Sequence, residues 1–593
     1  MEKAKHGDEI LNIDYNRDYL GKEIGYEAMI NSTNRKKVSL NGMWNFEVDL
    51  YNTALRKRFF EEQYFDEQGN ELPLDYSFDD WQKVMVPFCF NTFKEEYFWY
   101  EGNAVFTRKF RYTETKEQRV FLKVGSANYE SKVFLNKQYL GRHIGGYTPY
   151  YIEITDYLQT ENRIIIMANN ERRLEGIPSI NTDWFNYGGL QRDIELIYLP
   201  KTYIKDYFVY LKNDNEYNKI VCQVEVVGET KVAALEIKEL GIKENMEIKE
   251  GKGEIEFSAK PTLWDTENPK LYEVTIAYNE DIVSDKIGFR QVSTDRNKVL
   301  LNGKEVFFKG ICQHEESAKN GRALTDEERK ENLRLVKELS CNATRLAHYP
   351  HHESMAKFAD EMGILVWEEV PVYWALQFSN PETYANAKNQ LQELITRDRN
   401  RASVIVWSVG NENPDSDERF EFMKNLVAEA KKLDPSRLTS AACLVTTTPE
   451  SVKIADRLVQ EIDIIGVNEY YGWYDRDFSR LEQMLESSTQ LNKPIFITET
   501  GGNALKGHRG NELFTEDYQE QLYKNQIGVV EKYNIQGFFP WILYDFRTPV
   551  RMSKFQGCYN RKGLLNADKS EKKLAFYVLQ NFYSSLIKDE RKS

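Results

Sequence analysis

The run Val404-Ile-Val-Trp-Ser-Val-Gly-Asn-Glu412 decides how this 593-residue chain is read. Val404–Val409 is apolar at nearly every position, without alternation, as expected of a strand covered on both faces of a parallel sheet. It then turns polar within three residues. The same texture recurs on either side, at Val306–Cys312, Ala343–His348, Ile364–Val370, Leu438–Cys443, Ile462–Asn468, Ile495–Glu499 and Gly537–Leu543. Helical patterns fill the gaps. Thr325-x-x-Glu328 is a capping box ahead of Leu335, Val336 and Leu339. Phe420, Met423, Leu426, Val427 and Ala430 form a stripe at helical spacing, and Leu574–Leu579 begins a last helix. Eight strands, each expected to be followed by a helix, predict a C-terminal (β/α)8 TIM barrel over residues 289–593. An open doubly wound sheet is the rival, but no GxGxxG or GxxxxGK[ST] follows any strand, so its nucleotide-binding form has no support.

Upstream of Gly288-Phe289-Arg290 the texture is all β. Residues 1–200 carry short strands at Val120–Val124, Lys132–Leu135, Asn162–Met167 and Ile194–Tyr198, with hairpin punctuation at Asn136-Lys-Gln. This spacing predicts a jelly-roll β-sandwich. Residues 201–288 alternate with period two at Val221–Val226, Val232–Ile237 and Gly253–Phe257, and continue at Leu271–Ile276. About seven strands in under 90 residues predict an immunoglobulin-like β-sandwich. The Lys- and Glu-rich stretch 238–252 reads as a solvated turn region.

Composition narrows the function. There are 79 basic and 93 acidic residues, a net charge of −14, which disfavours nucleic acid as a general partner. No stretch approaches the ~20 apolar residues of a membrane span. The first residues, MEKAKHGDEI, lack the apolar segment of a signal peptide. The six cysteines are scattered without CxxC pairing, so a reduced, cytoplasmic protein is expected, without a disulfide framework. Aromatic residues make up 13% of the chain. A large sandwich core, cross-strand aromatic pairs and a carbohydrate site are each sufficient cause.

In such barrels reactive groups stand at the C-terminal ends of the strands. Strand four runs into Gly410-Asn411-Glu412, and strand seven ends at Glu499 before Thr500-Gly501-Gly502. A single glutamate ending a strand is ordinarily a helix cap or ion-pair residue. Two across one mouth are what retaining glycoside hydrolysis requires, an ionised nucleophile and a protonated acid. Trp407-Ser-Val-Gly-Asn-Glu412, Ile497-Thr-Glu-Thr-Gly501, Arg345-Leu-Ala-His-Tyr-Pro350 and Leu263-Trp-Asp-Thr-Glu-Asn-Pro269 together resemble the family 2 glycoside hydrolases, over nearly the whole chain. That resemblance implies jelly roll, immunoglobulin-like sandwich and barrel in this order. It implies Glu412 as acid/base, Glu499 as nucleophile, Asn411 on the sugar 2-hydroxyl, and Arg345 beside the nucleophile. The sequence departs from the family at Asn413, where proline is expected directly after the glutamate; Pro414 comes one place later.

The sugar is read from other residues. Asn560-Arg-Lys562-Gly563, after strand eight, resembles the motif with which β-glucuronidases hold the C6 carboxylate. On the residues alone it reads first as an exposed basic turn, and its place after strand eight is what favours the carboxylate reading. Asp183, in Asp183-Trp-Phe-Asn-Tyr-Gly-Gly189, resembles an aspartate that reaches the sugar from the first domain. His314 and His348, ending strands one and two, are candidate hydroxyl ligands or core histidines. Tyr470 and Tyr474 resemble residues orienting the two glutamates, with Tyr470 and Tyr471 open as to which faces inward. Trp541 lies either under the sugar ring or in the barrel core. His348, His351, His352 and Glu353 lack metal-ligand spacing, and the two-carboxylate mechanism needs no metal or cofactor. The short connection Pro371–Asn380 resembles family members that lack a long loop over the site, so larger conjugates are expected to enter. The resemblance therefore implies an exo-β-D-glucuronidase of bacterial type, a homo-oligomer acting on β-D-glucuronide conjugates or uronate-terminated saccharides. A β-galacturonidase, a β-galactosidase and a non-catalytic carbohydrate-binding protein are the rivals.

Overall fold

The computed structural model describes residues 22–113, 118–214 and 216–590. Two compact units emerge, one comprising residues up to Arg172 with Asn186–Tyr203, the other Arg173–Phe185 with the chain from Ile204 onward.

The first unit is a jelly-roll sandwich. A six-stranded antiparallel sheet (Gly42–Asp49, Gln82–Val86, Asn103–Arg111, Glu130–Leu135, Gln138–Ile144, Glu161–Asn169) is accompanied by a four-stranded one (Lys36–Ser39, Arg119–Val124, Tyr150–Glu153, Ile194–Leu199). The predicted hairpin joins Glu130–Leu135 to Gln138–Ile144. Asn136 and Lys137, at φ 49° and 72°, give its tight turn the left-handed backbone that matches strand twist. Trp44, Phe46, Phe90 and Phe106 are fully buried here, so much of the aromatic content is sandwich core.

In the second unit, three strands (Tyr203–Leu211, Lys219–Val227, Lys252–Ser258) and four strands (Val232–Ile237, Ile242–Glu247, Tyr272–Tyr278, Asp281–Ile287) form the immunoglobulin-like sandwich. The charged stretch 238–252 is not simply a turn. Ile242–Glu247 is an edge strand paired with Val232–Ile237, and Met246 points into the core while Lys243 and Glu247 face solvent. Charges on an edge strand discourage sheet-to-sheet pairing.

The barrel strands are β1 (Phe308–Lys309 and Cys312–Gln313), β2 (Ala343–Leu346), β3 (Leu365–Glu369), β4 (Val404–Asn411), β5 (Leu438–Cys443), β6 (Ile465–Asn468), β7 (Ile495–Glu499) and β8 (Gly537–Phe538). All pair in parallel. β1 closes the ring in two halves. Phe308 pairs with β8, and Cys312 pairs with Arg345 of β2. Gly310 stands between the halves, where an added Cβ would meet the Phe539 ring at 2.4 Å. The capping box forms as expected, opening helix α1 (Asp326–Glu338). The outer layer continues with α2 (Glu353–Met362), α3 (Pro381–Asp398), α4 (Asp417–Leu433), α5 (Ser479–Ser488), α6 (Glu516–Val530) and α7 (Leu574–Glu590).

Two expectations change. α4 turns Phe422 into the core, while Phe420 is only half-buried under the Arg457 guanidinium. Between β5 and β6 there is no α-helix among the described residues. The β-branched residues of 445–454 pair as a hairpin (Val445–Thr447 with Val452–Ile454) and Arg457–Gln460 supplies a single 3-10 turn.

Candidate active site

β4 ends in Asn411, and Glu412 follows with its backbone in the left-handed region at φ 52°. β7 ends in Glu499, which is buried. Arg345, on β2 and 1% exposed, stands between these strand ends. Its Nη1 donates to Glu499 Oε1 at 2.7 Å and its Nη2 to Asn411 Oδ1 at 2.8 Å. Asn468, ending β6, donates to Asn411 Oδ1 at 3.0 Å and to Glu412 Oε1 at 2.9 Å. One continuous hydrogen-bonded chain therefore joins the two glutamates, and they share one site.

The environments of the two carboxyls differ. Glu499 accepts from Arg345 and, at 2.6 Å, from the Tyr470 hydroxyl, and His348 Nε2 lies 3.5 Å away. Among the described residues Glu412 has no Lys or Arg against it. Burial, reinforced by the nearby Glu499 charge, pushes its carboxyl up; the donors Asn468 and Trp374 offset only part of this. One glutamate is set against a guanidinium and the other is driven toward its protonated form, the division of labour that acid–base chemistry at neutral pH needs.

Around them stand groups that sequence reasoning missed. Glu369, ending β3, accepts from Arg345 at 3.0 and 3.1 Å and from His348 Nδ1 at 2.7 Å. Burial raises its carboxyl, but Arg345 and His348 overcome this and hold it low. Both Glu369 and Asn468 end apolar runs, the signature that singled out Glu412 and Glu499, so the rule was available and was applied too narrowly. Trp374, whose Nε1 donates to Glu412 Oε2 at 2.9 Å, sits in a loop with no period to mark it.

Tyr470, not Tyr471, faces the site; the Tyr471 hydroxyl pairs with Thr447. Tyr474 corrects an expectation. It is 60% exposed, and its hydroxyl takes hydrogen bonds from Lys562 Nζ (3.0 Å) and Arg551 Nη1 (3.1 Å). Trp541 is buried, with its ring stacked on His348 at 4.9 Å and edge-on to His314 at 5.3 Å. His314 is held by the Tyr349 hydroxyl at 3.1 Å through Nδ1, and its buried Nε2 has no hydrogen-bond partner among the described residues. Burial, with His348 nearby, drives its pKa well below the ordinary histidine value, so the ring is neutral. His351 donates to the Ala347 carbonyl, and His352 Nδ1 caps α2.

Asn560 and Lys562 lie in the segment after β8, and each is 1% exposed. Lys562 Nζ sits 5.0 Å from the Tyr470 ring centroid and 4.9 Å from that of Tyr474. Among the described residues no carboxylate pairs with it. Lys573, equally buried, pairs with Asp545 at 2.7 Å. Asn560 Oδ1 accepts from the Lys562 backbone N–H at 3.2 Å, and its amide donates to Asp183 at 3.4 Å. Asp183 belongs to the same compact unit as the barrel. Its carboxylate is engaged by Thr548 Oγ1 at 2.9 Å and by a bidentate pair with Arg551. Arg551, in a long loop, gave no sequence signal.

A barrel with two glutamates at its mouth, following two β-sandwiches in the chain, defines a class. Three models of one family match in succession: the sugar binding domain over 37–200, the central family domain over 202–290 and the TIM barrel domain over 292–586. The chain belongs to glycosyl hydrolase family 2 and is a glycoside hydrolase. A curated relative, a β-glucuronidase of Streptococcus agalactiae, is 28% identical, covering 91% of this chain and 95% of its own. The crystal structure of Ruminococcus gnavus β-glucuronidase superposes with a TM-score of 0.82 at 27% identity, over 95% of this chain and all of that one. A β-galacturonidase from Eisenbergiella tayi shares the fold at a TM-score of 0.79 and 24% identity, over 96% and 98% of the two chains.

Proposed function

We propose that this chain is a retaining exo-β-D-glucuronidase. The observation that carries the reading is the buried Lys562 ammonium without a carboxylate partner. A buried charge is costly unless paired, so a site that keeps one unpaired beside its carboxyl groups is built for an anionic substrate. The Asn560 amide adds a neutral donor on the same segment. A neutral hexoside supplies no anion for the ammonium, whereas a uronide carries its carboxylate on C5, close to the reacting carbon.

In the first step a Glu499 oxygen attacks C1 while Glu412 gives its proton to the glycosidic oxygen. The C1–O bond breaks and the aglycone leaves as an alcohol. In the second step Glu412 takes a proton from water, whose oxygen attacks C1, releasing Glu499 and glucuronate with the starting anomeric configuration. Asn411 is assigned to the sugar 2-hydroxyl, and His314, His348 and Trp541 to its remaining faces. The short Pro371–Asn380 connection leaves room for large aglycones and uronate-terminated saccharides.

A panel of p-nitrophenyl glycosides tests this. The glucuronide is expected to give the highest kcat/KM, above galacturonide, galactoside and mannoside. A galacturonide optimum would keep the site and change the sugar; a galactoside optimum would overturn the role of Lys562; no turnover of any would overturn catalysis.

A further inference from the structure

We infer that Trp374 is a positioning residue for the acid/base Glu412, its indole N–H fixing the carboxyl oxygen Oε2 for proton transfer to the leaving group. This rests on the reading of Glu412 given above. Glu412 is held at two points: Asn468 donates to Oε1 at 2.9 Å and Trp374 Nε1 to Oε2 at 2.9 Å. With both oxygens engaged, the carboxyl plane cannot rotate without losing a bond.

The loop that delivers the indole is itself stitched to Glu412's segment. Asn411 N–H donates to Val372 O and Trp374 N–H to Asn411 O, both at 2.9 Å. Asn413 then donates from Nδ2 to Trp374 O at 2.8 Å and to Val372 O at 3.2 Å. Asn413 is where this sequence departs from the family, and its side chain does what proline cannot. Trp374 and Glu412 both adopt left-handed backbone, at φ 53° and 52°. For non-glycine residues that conformation costs of order 1 kcal/mol and persists only where surrounding bonds impose it. The two constrained residues thus meet at one hydrogen bond.

The charged and titratable groups facing Glu412 are Glu499 from β7, His348 after β2, and the Tyr373 and Tyr470 hydroxyls, with Arg345 acting through Asn411. The donors on Glu412 itself are the Asn468 amide and the Trp374 indole, both neutral, and each favours its ionised form.

Trp374→Phe keeps the apolar bulk and removes the donor. Because protonation matters most for poor leaving groups, kcat/KM is expected to fall about tenfold or more on an alkyl glucuronide and less than about threefold on p-nitrophenyl glucuronide. The basic limb of the kcat/KM–pH profile is expected to move up by about half to one unit, since the lost bond favoured the ionised form. Trp374 is only half-buried, and a melting temperature within about 2 °C of the parent checks that the fold is intact. Equal losses on both substrates with an unmoved profile would overturn the inference. Glu412→Gln separates the two readings. If it abolishes alkyl glucuronide turnover while Trp374→Phe changes nothing, only the Trp374 inference fails; if Glu412→Gln keeps that activity, the assignment of Glu412 fails as well.

Discussion

At the scale of the residue, what distinguishes the two glutamates is their immediate company. Glu499 has a guanidinium at 2.7 Å and a phenol at 2.6 Å; Glu412 has an indole and an amide, both neutral. Amide donors do not compensate a buried carboxylate as a fixed cation does, so burial keeps Glu412 protonated at higher pH. The proposed roles follow from this asymmetry. Glu499→Gln preserves size, replaces one accepting oxygen with an NH2 donor and removes the attacking charge. Turnover of p-nitrophenyl glucuronide is expected to fall by at least about 10³-fold, with an unchanged far-UV CD spectrum. Activity within tenfold of the parent would refute the nucleophile assignment.

At the scale of the element, the strand ends carry the site and sequence texture carries the strands. Val404–Val409 and Ile495–Glu499 were legible because a strand covered on both faces is apolar throughout, and its first polar residue marks the barrel mouth. The same rule, extended, reaches Glu369 and Asn468. It does not reach Trp374 or Arg551, which stand in loops whose conformation follows from tertiary hydrogen bonds and not from local periodicity. Nor did it foresee the hairpin replacing the helix after β5, since a short β-branched stretch fits either connection. Helix capping, by contrast, is local chemistry, and the box at Thr325 and Glu328 was readable directly.

One strand end also has a pH signature. Glu469, after β6, is pushed up to about 8 by burial, which its bond from the Tyr471 N–H opposes only in part. Between the unfolded value near 4.3 and about 8, the folded chain holds a proton that the unfolded chain has lost. Stability from this group is therefore present at low pH and declines as pH rises through that window. Glu469→Gln is expected to raise the melting temperature more at pH 8 than at pH 5. An equal change at both would contradict the buried-proton account.

At the scale of the molecule, the immunoglobulin-like sandwich is bound to the barrel through buried arginines. Arg290 donates to the carbonyls of Ala402, Val404 and Ser436; burial, then Arg437, depresses its pKa to about 9. Arg401 pairs with Asp285, Arg399 with Asp206, and the Trp264 indole reaches the Asp360 carbonyl at 2.9 Å. Asp285 also accepts from the Tyr207 hydroxyl at 2.8 Å. Asp285→Ala removes the nearer carboxylate of a buried guanidinium and leaves only Asp360 at 3.5 Å among the described residues, a loss of about 3 kcal/mol. A melting temperature lowered by a few degrees is expected, with kcat/KM within about twofold of the parent. An unaltered melting curve would show that the junction does not depend on this pair.

The account turns on Lys562, whose charge is kept out of water beside a phenol and two aromatic faces. The direct measurement compares kcat/KM of Lys562→Ala with the parent on p-nitrophenyl β-D-glucuronide and on the matching glucoside, which lacks only the carboxylate. Loss of a buried charge-assisted contact predicts a fall of about 10²- to 10³-fold on the glucuronide, and a change of less than about threefold on the glucoside. Equal falls on both would contradict carboxylate recognition by this ammonium.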